Sequence, residues 1–448
     1  MQRRQIIKGM ATAIAISPVL SESQAKAQAV MPAREVNALD FGAVADGDSA
    51  SPTDNGPAFA SAIDALKAVG GGTLHVPPGT YYFTQPIQIT LAAGGGDISI
   101  GGGGSNQTRL RFAASAANGI VFTLPSTGGA STYQSARVRD LALLTENSTV
   151  GGSQLNPGRC AIRYIPGTPQ QGSPYLTAVI RDVEIRGLNG FSQFWDTGIY
   201  LNNVVNAWID SVEVLGKFNY QSSYQGILAD HYAVNVSCSN CQVNYCTYGF
   251  RMYSNEGASI PNGAQVSGAE GLQVVNCGVG GCRTGAFHDN GTSPEPRPAL
   301  QIIGCNFNCT YNCVATSNVT ECVVTGNVFY LQPTTFVAIE AGAACINIVP
   351  AVGGAAVSRH AVTGNILRAL SPISAVRGVI CGGQNVAISG NSFDSFDFGI
   401  ILTPTSAHCL LSGNTFANIS AFQVQNAGSS NSYVAGTSLP NGTSLNIG

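Results

Sequence analysis

Asp230, Arg251 and Asp289 are the residues whose types and spacing point most directly to chemistry. Each stands in or just after a short phrase, Gly-Φ-x-Φ, where Φ is apolar: Gly226-Ile227-Leu228-Ala229, Gly249-Phe250-Arg251-Met252 and Gly285-Ala286-Phe287-His288. Side chains alternate along a strand, so if both Φ positions point inward the residue between them points out. One outward column then runs Tyr200, Leu228, Arg251, Phe287, and the next runs Asn202, Asp230, Tyr253, Asp289. If these strands stack as successive rungs, Asp230 and Asp289 lie two rungs apart, roughly 9.6 Å along the stack. Side-chain reach brings that toward the ~6.5–9.5 Å separation of an inverting acid–base carboxylate pair. Arg251 lies between them and could bind or polarise an anionic substrate. Asp196, Tyr200, Tyr248, Tyr253 and Arg283 flank the same strands and are read as substrate-binding. An acid, a base, a cation and aromatic rings on one face are what a sugar site requires.

A second carboxylate pair competes with this set. Glu184 and Glu213 hold equivalent positions in Arg181-Asp182-Val183-Glu184-Ile185 and Asp210-Ser211-Val212-Glu213-Val214. On adjacent rungs they stand ~4.8 Å apart by backbone, near the roughly 5 Å spacing of retaining glycosidases. They could share a proton, hold Ca²⁺, or be held apart by Arg181 and Arg186 as a salt-bridged edge. The pair belongs to a different face from Asp230. No cofactor follows firmly from the residues; Ca²⁺ is the one that paired carboxylates could take. His288 and His360 fall on inward positions and read as core histidines, whereas His231 adjoins the Asp230 face.

The elements that position these residues are legible in a recurring phrase. Ser389-Gly390-Asn391-Ser392-Phe393 returns as Ser412-Gly413-Asn414-Thr415-Phe416, with Thr325-Gly326-Asn327 and Thr363-Gly364-Asn365 upstream. The frame extends back through Gly304-Cys305, Asn276-Cys277 and Asn240-Cys241 to Ser211 and Asp182. Positions 182, 211, 240, 276, 304, 326, 364, 390 and 413 are separated by 29, 29, 36, 28, 22, 38, 26 and 23 residues. Insertions confined to turns, with strands kept in register, produce such unequal intervals in a stacked repeat. The chain thus reads as an all-β solenoid of three strands and three turns per coil. The 54 glycines and 10% charged residues suit tightly turned β-structure. In the same frame, Cys241, Cys277 and Cys305 align with Asn327, Asn365, Asn391 and Asn414. Most of the thirteen cysteines therefore read as buried free thiols rather than disulfides or metal ligands.

The opening segment reads as a lid. Asp54 or Asn55 can begin a helix with Pro57 in its first turn, Phe59, Ile63 and Leu66 on one face, and Gly70-Gly71-Gly72 at its end. Here a family resemblance emerges. Asp40-Phe41-Gly42-Ala43, Asp46-Gly47, Ala58-Phe59, Ala62-Ile63, Gly70-Gly71-Gly72-Thr73 and Val76-Pro77-Pro78-Gly79-Thr80-Tyr81 resemble the opening module of the pectate-lyase-like superfamily, in its rhamnogalacturonase/epimerase-like branch. The resemblance implies a right-handed parallel β-helix with an N-terminal helical cap, and catalytic groups along an outer groove. It covers about fifty residues closely and the rest in architecture alone. The Asp-Asp pair and Gly-His-Gly of polygalacturonases are absent, as are the calcium cluster and arginine-rich strand of the best-known pectate lyases.

The expected organisation is an export signal of the twin-arginine type over 1–29, a cap with the first coils over 30–95, the β-helix over 96–425, and a poorly ordered tail over 426–448. Arg3-Arg4 precedes an apolar run too short to span a membrane, and Ala27-Gln28-Ala29 offers a cleavage site. A net charge of −3 gives no case for nucleic-acid binding. The expectation is a periplasmic or extracellular protein, free of the membrane once mature, monomeric or homotrimeric. It would cleave a polysaccharide as a lyase or glycoside hydrolase. A carbohydrate-binding surface or spike-like protein, or a uronate epimerase, stand as alternatives.

Overall fold

The stacking is visible in strand register. Thr197–Asn202 pairs in parallel with Gln225–Asp230, which pairs with Tyr248–Tyr253, which pairs with the second half of Gly278–Asp289. The same face continues through Asn306–Ser317, Ala344–Val349, Arg377–Cys381, Phe398–Leu402 and Phe422–Asn426. Two other faces repeat the pattern: Leu176–Gly187 on Val205–Leu215 on Gln242–Asn244, and Val234–Ser239 on Glu270–Val275 on Leu300–Ile303. The protein is a parallel β-helix. This is a computed structural model that describes residues 34–91, 95–124, 134–152, 156–166, 176–202, 204–217, 225–230, 233–253, 269–290, 298–335, 337–350, 357–370, 375–433 and 446–447. The export segment and His231 lie outside the described residues.

The recurring phrase has a backbone cause. Asp182, Ser211, Asn240 and Asn276 have φ of 52°, 54°, 53° and 53°, and Gly304, Gly326, Gly364, Gly390 and Gly413 have φ of 60–66°. One turn therefore takes a left-handed residue at every rung. Only Gly, and with local hydrogen bonding Asn, Asp or Ser, adopts that conformation cheaply. The glycine of Gly-Φ-x-Φ answers to a different constraint. A Cβ on Gly226 would stand 2.5 Å from the Gly249 carbonyl oxygen, and one on Gly249 2.6 Å from that of Gly285.

Immediately after the left-handed residue, the next column points into the core and binds the stack along its axis. Asn327 Nδ2 donates to Asn365 Oδ1 at 2.9 Å, Asn365 to Asn391 at 2.9 Å, and Asn391 to Asn414 at 3.0 Å. The same oxygens accept the backbone N–H of the preceding asparagine at 3.0 Å. Cys305 N joins the column at Asn327 Oδ1, and two steps earlier the Cys277 thiol accepts from Cys241 N. All thirteen cysteines are free and buried. Burial pushes the Cys305 thiol up to about 11 and the Cys160 thiol to about 12, so both stay protonated and unreactive at neutral pH.

The lid forms as its residues suggest. Helix Gly56–Ala68 has Pro57 in its first turn and buries Phe59, Ala62, Ile63 and Leu66 over the first coil. Asn55 occupies the N-cap, and Asp54 Oδ1 accepts from Gly56 N. Phe59, Phe83, Phe112 and Trp195 then pack in series, with ring centroids 4.9, 5.1 and 5.6 Å apart. At the other end, of the tail expected from 426 the structure describes 426–433 and 446–447, and the rest lies outside the described residues. Ser432–Tyr433 continues the ladder on Leu410–Ser412, and Asn431 Oδ1 accepts from Cys409 N.

Candidate active site

The outer surface of Cys160–Pro166, Thr197–Asn202, Gln225–Asp230, Tyr248–Tyr253 and Gly278–Asp289 carries three parallel columns of side chains. Register places Cys160, Thr197, Gln225, Tyr248 and Thr284 in one. The second holds Arg163, Tyr200, Leu228, Arg251 and Phe287. Asn202, Asp230, Tyr253 and Asp289 form the third, so Asp230 and Asp289 stand two rungs apart with Tyr253 between them. Gln225 and Arg163 were not among the residues singled out by sequence. Gln225 precedes its Gly-Φ-x-Φ phrase, and no such phrase introduces Arg163.

Arg251 is the centre of the arrangement. Its guanidinium carbon lies 4.6 Å from the ring centroid of Tyr248, 4.5 Å from that of Tyr253 and 5.9 Å from that of Phe287. Nη2 approaches Asp289 Oδ2 at 3.8 Å, and Nη1 donates to Gln225 Oε1 at 3.4 Å. Rings on several sides hold the cation by their quadrupoles and leave its planar fork fixed in place. Asp230 has a different environment. It accepts from the Tyr200 hydroxyl at 3.3 Å, and that hydroxyl accepts from Asn202 Nδ2 at 2.9 Å. Burial, with Asp230 nearby, raises the Tyr200 hydroxyl well above its ordinary value, so it remains a donor. Burial also raises Tyr253, Asp289 adding to the effect and Arg251 opposing it.

Two expectations about this face change. The outward columns do not form an open trough: Arg251 is 3% exposed and Asp230 6%. Tyr200, Leu228 and Cys160 pack into an apolar cluster of their own, outside the main core, with Ile165 and Tyr253 against it. Access is greater at the Asp289 side, where that side chain is 19% exposed. A column of large residues on a flat sheet buries itself, which alternation alone does not reveal.

Asp196 and Arg283 serve elsewhere. Asp196 is fully buried, and its two oxygens accept from Gly151 N and Arg159 N, each at 2.9 Å. It fastens a connection to the sheet, with both oxygens engaged by backbone N–H groups. Arg283 forms a two-pronged ion pair with Glu340 at 2.7 and 2.9 Å and lies 4.3 Å from the Tyr311 ring centroid. Burial alone would lower this guanidinium; the Glu340 bonds outweigh it and keep the charge. The register of its strand shifts at this point, between Cys282 and Thr284, and the residue of this strand that stands in the Arg251 column is Phe287. His288 and His360 are core residues as expected: Nε2 of His288 lies 3.3 Å from Ala269 O, and Nδ1 of His360 accepts from Cys322 N at 3.2 Å.

Glu184 and Glu213 are register neighbours on a different face. Glu184 accepts from Arg186 Nε, while Arg181 turns to Asp182 and Asp210. With Gly104–Gln107, Asp182 and Ser211 they line an open depression of about 520 Å³. Among the described residues no three His, Cys, Asp or Glu side chains converge as metal ligands.

Comparisons with known proteins agree with this architecture. Residues 35–285 match the family described as rhamnogalacturonase A/epimerase, pectate lyase-like. The mannuronan C5-epimerase AlgE6 of Azotobacter vinelandii is 30% identical over 161 residues, which are 35% of this chain and 17% of that protein. The chain thus spans under a fifth of the length of that relative. The solved A-module of AlgE6 superposes with a TM-score of 0.53 at 17% identity, covering 90% of this chain and all of the module. An N-terminal fragment of the bacteriophage phi29 gene product 12 gives 0.57 at 15% identity, covering 92% and 74%. The catalytic domain of a GH87 alpha-1,3-glucanase gives 0.56 at 12%, covering 91% and 69%. At these identities the solved structures speak to fold alone. The family match extends over more than half of the sequence and carries the lid together with four strands of the Arg251 face and the start of the fifth: the chain belongs to the rhamnogalacturonase A/epimerase, pectate lyase-like family.

Proposed function

We propose that this protein modifies an acidic polysaccharide, acting on a uronate unit held at Arg251. The observation that carries the reading is a buried arginine, fixed by Tyr248, Tyr253 and Phe287, with carboxylates one rung to either side. A uronate gives up its C5 proton only when its carboxylate is neutralised, because the charge developing at C5 spreads into that group. A preorganised cation in a site with little water does this most effectively. Asp230, oriented by the Tyr200 hydroxyl, and Asp289, beside Arg251, are then positioned to take the C5 proton and to supply one.

The fate of that carbanion separates two outcomes. Return of a proton to the opposite face of C5 inverts the sugar, as an epimerase does. Departure of the 4-linked oxygen, with the electron pair forming a C4–C5 double bond, cleaves the chain, as a lyase does. The relationship to AlgE6 supports the first. Hydrolysis is the second reading, supported by the two-rung separation of Asp230 and Asp289, near that of inverting glycosidases. The segment beginning Arg3-Arg4 is proposed to export the protein to where such polymers occur.

A panel of polyuronates and neutral glucans in D₂O distinguishes these outcomes. Deuterium at C5 without chain shortening marks epimerisation, an ultraviolet-absorbing unsaturated end marks elimination, and new reducing ends without unsaturation mark hydrolysis. Asp230→Asn and Asp289→Asn should each lower kcat by roughly 10²–10⁴-fold. Undiminished turnover in both variants removes the assignment. Binding with no turnover of any polymer leaves a carbohydrate-binding protein instead.

A further inference from the structure

Arg163 stands on the Arg251 column three rungs earlier. Among the described residues its guanidinium makes neither the ion pairs of Arg111, Arg186 and Arg283 nor the hydrogen bonds to neutral acceptors of Arg109, Arg159 and Arg377. Arg111 is paired with Glu146, Arg186 with Glu184 and Arg283 with Glu340. The Arg163 guanidinium lies 5.5 Å from the centroid of the Tyr200 ring, with no carboxylate in ion-pair range among the described residues. Its Nε–H is buried and makes no hydrogen bond. A partly desolvated charge without a counter-ion is costly, and natural proteins rarely retain one without a use for it.

Two further orphaned polar atoms occupy the rungs between Arg163 and Arg251. Gln225 is 2% exposed; its Oε1 accepts from Arg251, while its Nε2 has no partner. Asn202 gives its Nδ2 to Tyr200, and its Oδ1 is left buried and unsatisfied. From Arg163 to Arg251 the register steps through Tyr200 and Leu228, a distance of ~14 Å at the spacing of parallel strands. That distance exceeds the width of a single sugar ring, so the two cations address different units of one chain. Between them lie an apolar floor, an unused donor on Gln225 and an unused acceptor on Asn202.

We propose that Arg163, with Asn202 and Gln225, forms a second carboxylate subsite. The substrate of this face is then an oligouronate lying along the helix axis, with one carboxylate at Arg251 and another at Arg163. The proposal rests on the reading of Arg251 as a uronate site and adds the length and charge pattern of the ligand. It explains why donors and an acceptor are buried without partners on consecutive rungs, since the sugar carboxylate and hydroxyls complete them. Gln225 bridges the two subsites, as one end of its amide is committed to Arg251 and the other is open.

The test uses the full chain and defined oligouronates of increasing length, with carboxyl-reduced oligomers of equal length as neutral controls. In the wild type, affinity measured by calorimetry should rise at least tenfold once the oligomer spans both arginines, and the neutral series should show no such step. Arg163→Met should abolish the step, and Gln225→Met should weaken binding on both sides of it. Because Arg163→Met removes an uncompensated charge, the melting temperature without ligand should stay level or rise. A variant that keeps the wild-type length dependence overturns the subsite, as does one that loses several degrees of melting temperature, which marks Arg163 as structural. A wild type that binds long oligouronates with the step but never turns them over leaves the subsite standing and overturns only the catalytic reading.

Discussion

Replacing Asn391 with leucine tests the axial ladder on which every placement on the outer face depends. Asn391 is 1% exposed, and its amide completes four hydrogen bonds. Nδ2 donates to Val362 O at 2.9 Å and to Asn414 Oδ1 at 3.0 Å. Oδ1 accepts from Asn365 N at 3.0 Å and from Asn365 Nδ2 at 2.9 Å. Leucine fills much of the volume and forms none of these bonds. The Asn365 backbone N–H loses its acceptor inside the core, at a cost of about 1–3 kcal/mol. The remaining amide bonds add about 1 kcal/mol each where the partner keeps a second bond, as Asn365 Nδ2 does with Val324 O. Asn391→Leu should therefore destabilise by about 4 kcal/mol, measured by urea denaturation followed by circular dichroism. Ser392→Ala, one residue along but exposed, should change stability by less than about 0.5 kcal/mol. Asn365→Leu combined with Asn391→Leu should cost less than the sum of the two, because the pair shares bonds. A loss below about 1 kcal/mol for Asn391→Leu, or strict additivity in the double variant, refutes a continuous ladder.

Acid sensitivity follows from the core histidines. Burial lowers both His288 and His360 from 6.5 to about 4, so the native state holds them neutral while the unfolded chain takes up protons below pH 6.5. Stability should thus be full above about pH 6.5 and fall as pH drops toward 4, by on the order of 3 kcal/mol per histidine. His288→Leu should remove about half of that dependence, and an unchanged slope between pH 6.5 and 4 would place the titration elsewhere. Arg283→Met should cost about 1 kcal/mol through its half-exposed Glu340 pair and leave turnover within twofold. A tenfold fall in kcat/KM would return Arg283 to the substrate face.

What could be read from the chain divides along a physical line. Positions under a per-rung constraint were legible: the left-handed turn admits few residue types, and the glycine under a neighbouring carbonyl admits no side chain. The inward asparagines must find partners one rung away. These constraints recur in every coil and so leave a period. Asp230, Tyr253 and Asp289 were placed in one column for the same reason, since register fixes them once the strands are identified. The partners of Asp196 and Arg283, namely Gly151, Arg159 and Glu340, belong to irregular connections that follow no repeat, so periodicity does not reveal them. The burial of Arg251 was missed for a related reason. Alternation states which way a side chain points, and says nothing about whether its neighbours and the connections cover it.

The extent of the site along the helix is itself informative. In the Arg251 column the residues continue as Ala315, Asn347, Ile380 and Ile401, and the Asp289 column continues as Ser317 and Val349. Ionisable groups in these two columns thus run from Arg163 to Asp289 and end there, although the strands keep the same register for several more coils. A solvated face with charges scattered for solubility would not stop at one rung. The fold offers equivalent outward positions on every coil, spaced by the strand repeat and held more rigidly than a loop could hold them. Charge confined to five consecutive rungs, with a cation at each end of the Arg163–Arg251 span, therefore reports a ligand of finite length. The same confinement makes the later coils scaffold: substitutions at Ile380 or Ile401 should act on stability, and those at Tyr200, Leu228 or Tyr253 on which polymer is accepted.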